Sequence, residues 1–243
     1  GTSNFLYHLI CRRPQMINLL GERFSVDNDE LIAIKNFDAL RIFKYRALLK
    51  LTWMDISSQC DYFDVLNGLS TLAEAIIQHS LRLVLNPDDY RSICQSMTIF
   101  ALGKLGAAEL NYSSDVDLVF VSANSEDTDM NIHDFQSLLI NCIRKLSHAI
   151  EEKTDEGFLY RVDLKLRPWG SSGPLCMAID ATENYYESSS EPWERFAWLR
   201  SRVIAGSEAI GNELKQRLRP FIFMRSLSTD DLEKFLQIKN DMS

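Results

Sequence analysis

The sequence predicts an α+β protein, in which a small sheet in the middle of the chain is flanked by helical segments. Three observations support this class. Apolar residues recur at helical spacing within residues 1–90. Two short β-rich runs bounded by turn residues, "SMTIFALG" and "VDLVFVS", lie between residues 96 and 122. A later run, "FLYRVDLKLRP", alternates in period two before a proline, and a helical pattern separates it from the first two.

The first 90 residues are predicted to form a helical region. "LRIFKYRALLKLTWMDIS" is an amphipathic segment that ends near Asp55. "DVLNGLSTLAEAIIQHSLRLVL" is a second one, with an apolar stripe made of Leu66, Leu69, Ala73, Ile76 and Ile77. We expect a core over residues 91–206 and then a C-terminal helical segment over residues 207–243. In that segment, Ser228 or Thr229 is the candidate N-cap of "STDDLEKFLQIKN".

One more helix is predicted between the second and third strands. "IHDFQSLLINCIRKLSHAIEE" has apolar side chains at helical spacing, and these are Phe135, Leu138, Leu139, Cys142, Ile143, Leu146 and Ile150. A helix with one apolar stripe needs a surface to cover, so we expect it to pack on the sheet.

The composition excludes several classes of protein. A net charge of −8 argues against broad contact with nucleic acid, although metal ions or a local group of cations still permit nucleotide binding. No apolar run approaches the ~20 residues of a membrane span, and the start lacks the pattern of a secretory signal. The five cysteines are scattered and include no CxxC pair. We therefore expect a reduced, cytoplasmic protein that binds neither nucleic acid nor membrane.

The run "SSDVDLVFV" contains two aspartates at alternate positions of a predicted strand. Alternation places Val116, Leu118 and Phe120 on one face and Asp115 and Asp117 on the other. The α-carbons of the two aspartates lie ~6.5 to 7 Å apart at strand rise, so their charges repel unless a cation or hydrogen bonds compensate. Oxygen-only ligands favour Mg²⁺ or Mn²⁺ over zinc.

A third aspartate occurs in the run "YRVDLKLRP". Its apolar face consists of Tyr160, Val162, Leu164 and Leu166, and its polar face consists of Arg161, Asp163, Lys165 and Arg167. If the two strands are neighbours, Asp115, Asp117 and Asp163 converge. Each pattern alone also fits a solvated strand edge with weak surface ion pairs.

Small and polar residues around the aspartates favour the site over the solvated edge. A turn with Gly103 and Gly106 precedes the pair, and Asn111, Ser113 and Ser114 lie directly before it. Glycine backbone amides and small hydroxyl or amide side chains are the groups that receive phosphate. A second glycine-rich segment, "PWGSSGPL", fits either a loop over a nucleotide or an ordinary hairpin connection.

These motifs resemble the DNA polymerase β-like nucleotidyltransferases, which implies a small mixed sheet with helices. A strand, a glycine followed by serine, and then S-D-x-D on a second strand are typical of that superfamily. Lys104 stands where most members have the serine, so a hydroxyl contact to phosphate at this position is in question.

A narrower resemblance covers nearly the whole chain. "GKLGAAELNYSSDVDLVF", "YRVDLKLRPWGSSGPL" and "ENYYESSSEPWERFAWLRSRVIAG" are similar to the glutamine synthetase adenylyltransferase family. Its members are longer and carry two related nucleotidyltransferase domains, so we expect this chain to be a fragment. "LNYSSDVDL" and "RPWGSSGPL" resemble the N-terminal, deadenylylating domain more than the C-terminal, adenylylating one.

The resemblance implies phosphorolysis of adenylyl-tyrosine on glutamine synthetase by inorganic phosphate, which releases ADP. It assigns Asp115, Asp117 and Asp163 to catalysis and to the binding of Mg²⁺ or Mn²⁺, as two ions. Contacts to phosphate and nucleotide are expected from Gly103, Lys104, Ser114, Arg161, Lys165 and Arg167. In the full-length protein, a PII-type signal protein is a further expected partner.

Two other functions remain open. One is the adenylylating direction, in which AMP passes from ATP to tyrosine and Asp163 also serves as the base for the hydroxyl. The other is a catalytically silent regulatory module that keeps the nucleotidyltransferase fold. Three intact carboxylates argue against the silent module, because without a bound cation their mutual repulsion would only destabilise the fold.

Overall fold

The computed structural model describes residues 2–113, 115–125, 131–191 and 193–223. In this part of the chain, five strands form one sheet with both parallel and antiparallel pairs, and helices pack on both of its faces. The predicted α+β class is therefore confirmed. The division into segments 1–90, 91–206 and 207–243 stays a prediction.

The described residues before the sheet are helical, and both segments predicted as helices there are confirmed. The helices are α1 (Thr2–Arg12), a 3-10 helix (Pro14–Leu19), α2 (Asn28–Ala33), α3 (Phe37–Ile56), α4 (Tyr62–Val84) and α5 (Pro87–Ser96). The predicted amphipathic character holds for α4 but not for α3, since Leu48 and Leu49 of α3 belong to separate hydrophobic clusters on two of its sides. Side-chain caps fix several starts. Asp61 and Asp64 form a reciprocal capping box at α4, and the Asn36 side chain accepts a hydrogen bond from the backbone N–H of Ala39 at α3.

The sheet is built around one central strand. Its elements are β1 (Met97–Ala101), α6 (Gly103–Gly106), β2 (Val116–Ser122), α7 (Ile132–Glu151), β3 (Val162–Asp163) and β4 (Cys176–Ala178). Strand β2 is antiparallel to β1 along one edge. Along the other edge it pairs in parallel with β3 at its beginning and with β4 at its end. The beginning of β2 therefore has β3 as its neighbour, which is the arrangement that the aspartate hypothesis required.

The last described residues complete the sheet and cover its second face. These elements are α8 (Ile179–Ser188), α9 (Glu194–Leu199), β5 (Arg202–Gly206), α10 (Glu208–Arg217) and α11 (Arg219–Ile222). Strand β5 pairs antiparallel with β1. The predicted helix "STDDLEKFLQIKN" lies outside the described residues. None of the described helices is both long and apolar enough to span a membrane.

The two faces of β2 pack into two separate hydrophobic clusters. Val116, Leu118 and Phe120 belong to the first cluster, with side chains of α3, α4 and α7. Val119 and Val121 belong to the second, with side chains of α8, α9, α10 and α11. The predicted alternation along β2 is therefore confirmed, and Asp117 begins the row that continues with Val119 and Val121.

The third strand is much shorter than its period-two pattern indicates. The prediction of alternation through Arg167 was wrong, since β3 ends at Asp163. The Asp163 side chain accepts a hydrogen bond from the backbone N–H of Lys165 at 2.7 Å, which turns the chain out of the ladder. Leu166 consequently packs against the second cluster, whereas Leu164 packs against the first.

Candidate functional site

Asp117 and Asp163 lie opposite each other on neighbouring strands. They are register partners in the parallel pair of β2 and β3, and partners in a parallel pair project to the same side of a sheet. Asp115 lies directly before β2, where the backbone N–H of Val116 donates to the Arg161 carbonyl at 2.9 Å. The structure therefore brings the three predicted acids to one end of β2.

The pKa of Asp117 is raised to about 6. Burial is the main cause, and the negative charges of Asp163 and Asp115 add to it. The positive charges of Lys104 and Lys165 act in the opposite direction but do not cancel the shift. The protein by itself therefore disfavours a charge on this carboxylate, which is what a position suited to a cation shows before the cation binds.

Cationic side chains are bound to the other two carboxylates. Arg161 Nε donates to Asp115 Oδ1, and Arg161 Nη2 donates to the Ser113 carbonyl at 2.8 Å. Lys165 Nζ lies 3.4 Å from Asp163 Oδ2. Within the described residues, no three His, Cys, Asp or Glu side chains are placed to share a metal ion. The acids are neighbours, but their own cations compensate part of their charge.

The turn after β1 is pressed against Asp117. Gly103 has φ +54°, and a Cβ at this position would lie 2.2 Å from Asp117 Oδ2. The backbone N–H of Leu102 donates to the Asp117 carbonyl at 2.9 Å. Only glycine fits both the left-handed backbone and the missing space. The next residue, Lys104, is exposed beside the acids.

Arg167 shapes the loop that follows β3. Its guanidinium donates to the carbonyls of Leu164 at 2.7 Å, Ser171 at 3.1 Å and Gly173 at 3.2 Å. The bonded loop contains the "PWGSSGPL" segment, whose Gly170–Ser172 stretch is a 3-10 helix. Whether Arg167 also contacts phosphate stays a prediction, and Ser114 lies outside the described residues.

Next to Arg161 is a cavity of about 210 Å³ that contains a buried lysine. Lys44 on α3 is 7 % exposed, and its Nζ donates to the carbonyls of Phe158 and Leu159. It also lies 4.6 Å from the ring centroid of Tyr160. Burial lowers the pKa of Lys44 to about 7. The lysine thus ties α3 to the segment that leads into β3.

The sequence analysis missed Trp169, Tyr185 and Glu194 as a connected group. The rings of Trp169 and Tyr185 meet edge to face, with centroids 4.6 Å apart. The Tyr185 hydroxyl donates to the Glu194 carboxylate, with its oxygens at 3.0 and 3.1 Å. No periodic pattern connects these residues, because they come from a loop and two helices. The one available signal was an aromatic residue inside the glycine-rich segment.

Comparisons with known proteins identify the family of this chain. The family model for glutamate-ammonia ligase adenylyltransferase matches residues 1–217. A bifunctional glutamine synthetase adenylyltransferase/adenylyl-removing enzyme from Thioalkalivibrio sulfidiphilus is 39% identical over 197 residues, which is 77% of this chain. Proteins of the same name from Nitrosococcus oceani and Pseudomonas syringae are 37% and 34% identical over 82% and 98% of it.

The relatives are much longer than this chain. The aligned part covers 20% of the Thioalkalivibrio protein, 22% of the Nitrosococcus protein and 27% of the Pseudomonas protein. The family model nevertheless spans all five strands and the three aspartates. The chain therefore belongs to the glutamate-ammonia ligase adenylyltransferase family.

Proposed function

We propose that this chain is a deadenylylating nucleotidyltransferase domain with a polymerase β-like core. It removes AMP from a tyrosine of glutamine synthetase by phosphorolysis, with inorganic phosphate as the second substrate and ADP as the product. The observation that carries the proposal is the pairing of Asp117 with Asp163 across β2 and β3, beside the Gly103 turn. The names of the relatives support glutamine synthetase as the protein substrate.

The chemistry of the site fits a divalent cation. Its donors are carboxylate oxygens, and the pKa of Asp117 is raised by burial and, to a smaller extent, by the neighbouring charges of Asp163 and Asp115, which a bound cation would offset. Asp117 and Asp163 would hold Mg²⁺ or Mn²⁺, as two ions, together with Asp115 once Arg161 turns away from it. When bound, such ions polarise the phosphoryl oxygens and stabilise the departing tyrosyl oxygen.

The reaction breaks one bond and forms one. An oxygen of hydrogen phosphate attacks the AMP phosphorus, the bond from phosphorus to the tyrosyl oxygen breaks, and that oxygen gains, through water, the proton that the phosphate group loses. Phosphate is largely ionised at neutral pH, so little base catalysis is needed. The tyrosine hydroxyl, with a pKa of about 10, is a poor leaving group, so its charge must be stabilised as it departs.

The cations at the site bring two anionic reactants together. The charges of Lys104 and Lys165 oppose the rise in the Asp117 pKa, so both ammonium groups are close enough to the acids to attract phosphate to them. Arg161 is 62 % exposed at its side chain and can exchange Asp115 for phosphate. Backbone amides around Gly103 add donors, and Arg167 keeps the adjoining loop in place.

The removing direction is favoured over the transferring direction by two motifs. "LNYSSDVDL" precedes β2 and runs into it, and "RPWGSSGPL" forms the loop after β3. Both resemble the deadenylylating domain of the family. Adenylylation of tyrosine with ATP would use the same carboxylates, with Asp163 as the base for the hydroxyl, and it is the alternative.

A two-direction assay tests the proposal. The chain is incubated with adenylylated glutamine synthetase and phosphate, and separately with unmodified glutamine synthetase and ATP, each with Mg²⁺ and with Mn²⁺. We expect ADP release in the first reaction only, dependent on phosphate and on the divalent ion. Asp117→Asn is the inactive control.

Each other outcome has a definite meaning. Activity in the second reaction alone would establish the adenylylating direction. Activity in neither reaction, from a folded chain that binds Mn²⁺, would favour the silent regulatory module, whose partner in the full-length protein would be a PII-type signal protein. Undiminished ADP release by Asp117→Asn would contradict the role of the carboxylates.

A further inference from the structure

The loop after β3 presents an aromatic ring on the same side of the sheet as the acids. Asp117 heads the β2 row whose later members, Val119 and Val121, pack in the second hydrophobic cluster. Tyr185 belongs to that cluster, and the Trp169 ring meets the Tyr185 ring edge to face. Trp169 is therefore attached to the side of the sheet to which Asp117 and Asp163 project.

The Trp169 side chain is held in place but is not buried. Its indole is 52 % exposed, whereas its partner Tyr185 is 6 % exposed. The Trp169 ring packs against the Tyr185 ring, and Tyr185 is itself held by the hydrogen bond from its hydroxyl to Glu194. A tryptophan that only filled the core would lie inside it, as Trp198 does at 1 % exposure.

The backbone at Trp169 is also unusual. It has φ +58° and ψ +16°, the left-handed conformation, which bulky side chains rarely adopt. Hydrogen bonds in the surrounding loop hold the Trp169 backbone in this conformation. The N–H of Ser172 donates to the Trp169 carbonyl at 3.2 Å, and Arg167 bridges three loop carbonyls. Strain kept by its surroundings is typical of residues with a binding role.

We propose that Trp169 is the stacking platform for the adenine ring of the substrate, a role that rests on the proposed function. A nucleotide carries its phosphate and its base at opposite ends of the ribose. With the phosphorus over Asp117 and Asp163, the base extends over the same face of the sheet, where the exposed indole is six residues beyond Asp163. Stacking recognises a flat ring by its area and does not depend on its hydrogen-bonding edge.

Equilibrium binding separates stacking from phosphate recognition. Isothermal titration with Mg²⁺ present compares ADP with ribose 5-phosphate, which has the sugar and phosphate but no base. The unaltered chain should bind ADP more tightly. Trp169→Ala should weaken ADP binding about ten-fold, because the base loses the ring on which it stacks, and it should leave ribose 5-phosphate binding unchanged.

Two further variants make the result specific. Trp169→Phe keeps a smaller ring and should lose only part of the ADP affinity, and it tests the proposal even if the alanine variant does not fold. Trp193→Ala is the matched control, since Trp193 is also exposed, at 39 %. It should bind both ligands as the unaltered chain does. Circular dichroism checks the fold of each variant.

Several results would overturn the inference. These are unchanged ADP affinity in Trp169→Ala, equal loss of ADP and ribose 5-phosphate, or no preference of the unaltered chain for ADP. Failure of the proposed function is a separate result. A chain that binds ADP through Trp169 but forms no ADP from adenylylated glutamine synthetase and phosphate contradicts the function alone, and a chain that forms ADP in that assay with no contribution from Trp169 contradicts the stacking alone.

Discussion

Gly103 and Asp117 are in contact across the β1–β2 pair, with space for a hydrogen but not for a methyl group. The Cβ of an alanine would lie 2.2 Å from Asp117 Oδ2. Gly103→Ala should displace the carboxylate and lower ADP release by about 100-fold or more, because small displacements at a reacting centre are this costly. Steady-state assays with adenylylated glutamine synthetase measure the loss.

Gly21→Ala provides the matched control for that change. Gly21 also has a positive φ, +92°, but nothing lies within 4 Å of its added Cβ. The control therefore has the backbone strain without the collision, and it should keep its activity. Equal losses in the two variants would show that strain alone, and not the contact with Asp117, affects the reaction.

Asp117→Asn should stabilise the metal-free protein at neutral pH. The folded-state pKa of about 6 exceeds the ordinary value of 3.8, so unfolding releases a proton between these values and stability falls as pH rises from about 4 to 6. Asparagine removes this loss. The expected gain at pH 7.5 is on the order of 1 kcal/mol, reduced for partial exposure, and it should shrink toward pH 4.

Thermal unfolding with a chelator measures this gain. Asp155→Asn, at an exposed loop position, should not change the midpoint by a comparable amount. Adding Mn²⁺ should reverse the order, because the unaltered chain gains a bound cation and the variant gains less. A variant that is less stable than the unaltered chain at pH 7.5 without metal would contradict the electrostatic account of Asp117.

Arg161→Gln should strengthen divalent-ion binding and weaken phosphate binding. The guanidinium neutralises Asp115, so its removal leaves one more negative charge for the ion. At low salt we expect Mn²⁺ affinity to rise about three-fold, because the pair is exposed, and the KM for phosphate to increase. Arg91→Gln, which removes another exposed ion pair, is the control. Weaker Mn²⁺ binding would show instead that Arg161 orients Asp115 as a ligand.

Arg41→Met should destabilise the fold strongly without touching the site. Arg41 is 1 % exposed and donates to Asp38, to the Glu152 carboxylate and to backbone carbonyls at the end of α7. Losing one partner of a buried charged network costs about 3 kcal/mol. Arg46→Met removes a half-exposed pair with Glu30 and should cost below about 1 kcal/mol. Denaturant unfolding compares them, and equal losses would contradict the burial argument.

Helices α3, α4 and α7 and strands β1 and β2 could be predicted from local patterns of apolar residues, whereas α8 and α9 were not predicted. α4 and α7 repeat their apolar residues along one stripe, and β2 alternates between two clusters. The end of β3 could not be predicted in this way, because the Asp163 side chain captures the N–H of Lys165 and outcompetes the alternating pattern. Strands β4 and β5 are short, and their pairing depends on distant residues.

The sequence was enough to predict which residues form the candidate site, but not which contacts their side chains make. The spacing of Asp115 and Asp117 indicated like charges in need of a cation, and the sheet placed Asp163 beside them. The hydrogen bond from Arg161 to Asp115 and the use of Arg167 within its own loop depend on side-chain directions that no spacing specifies. The exposed position of Trp169 depends on its left-handed backbone. A sequence indicates that conformation only where it has a glycine, so a tryptophan gave no sign of it.

Strand β2 has β3 and β4 on the same edge, so residues 164–175 leave the sheet and return to it beside one strand. Both ends of this segment are fixed by pairing with β2, at β3 before it and at β4 after it. Its length and composition can therefore change while Asp117 and Asp163 keep their separation. Strand pairing thus sets the positions of the two aspartates, whereas hydrogen bonds inside the loop set the position of Trp169. A substitution in the loop can therefore move the ring without moving the acids.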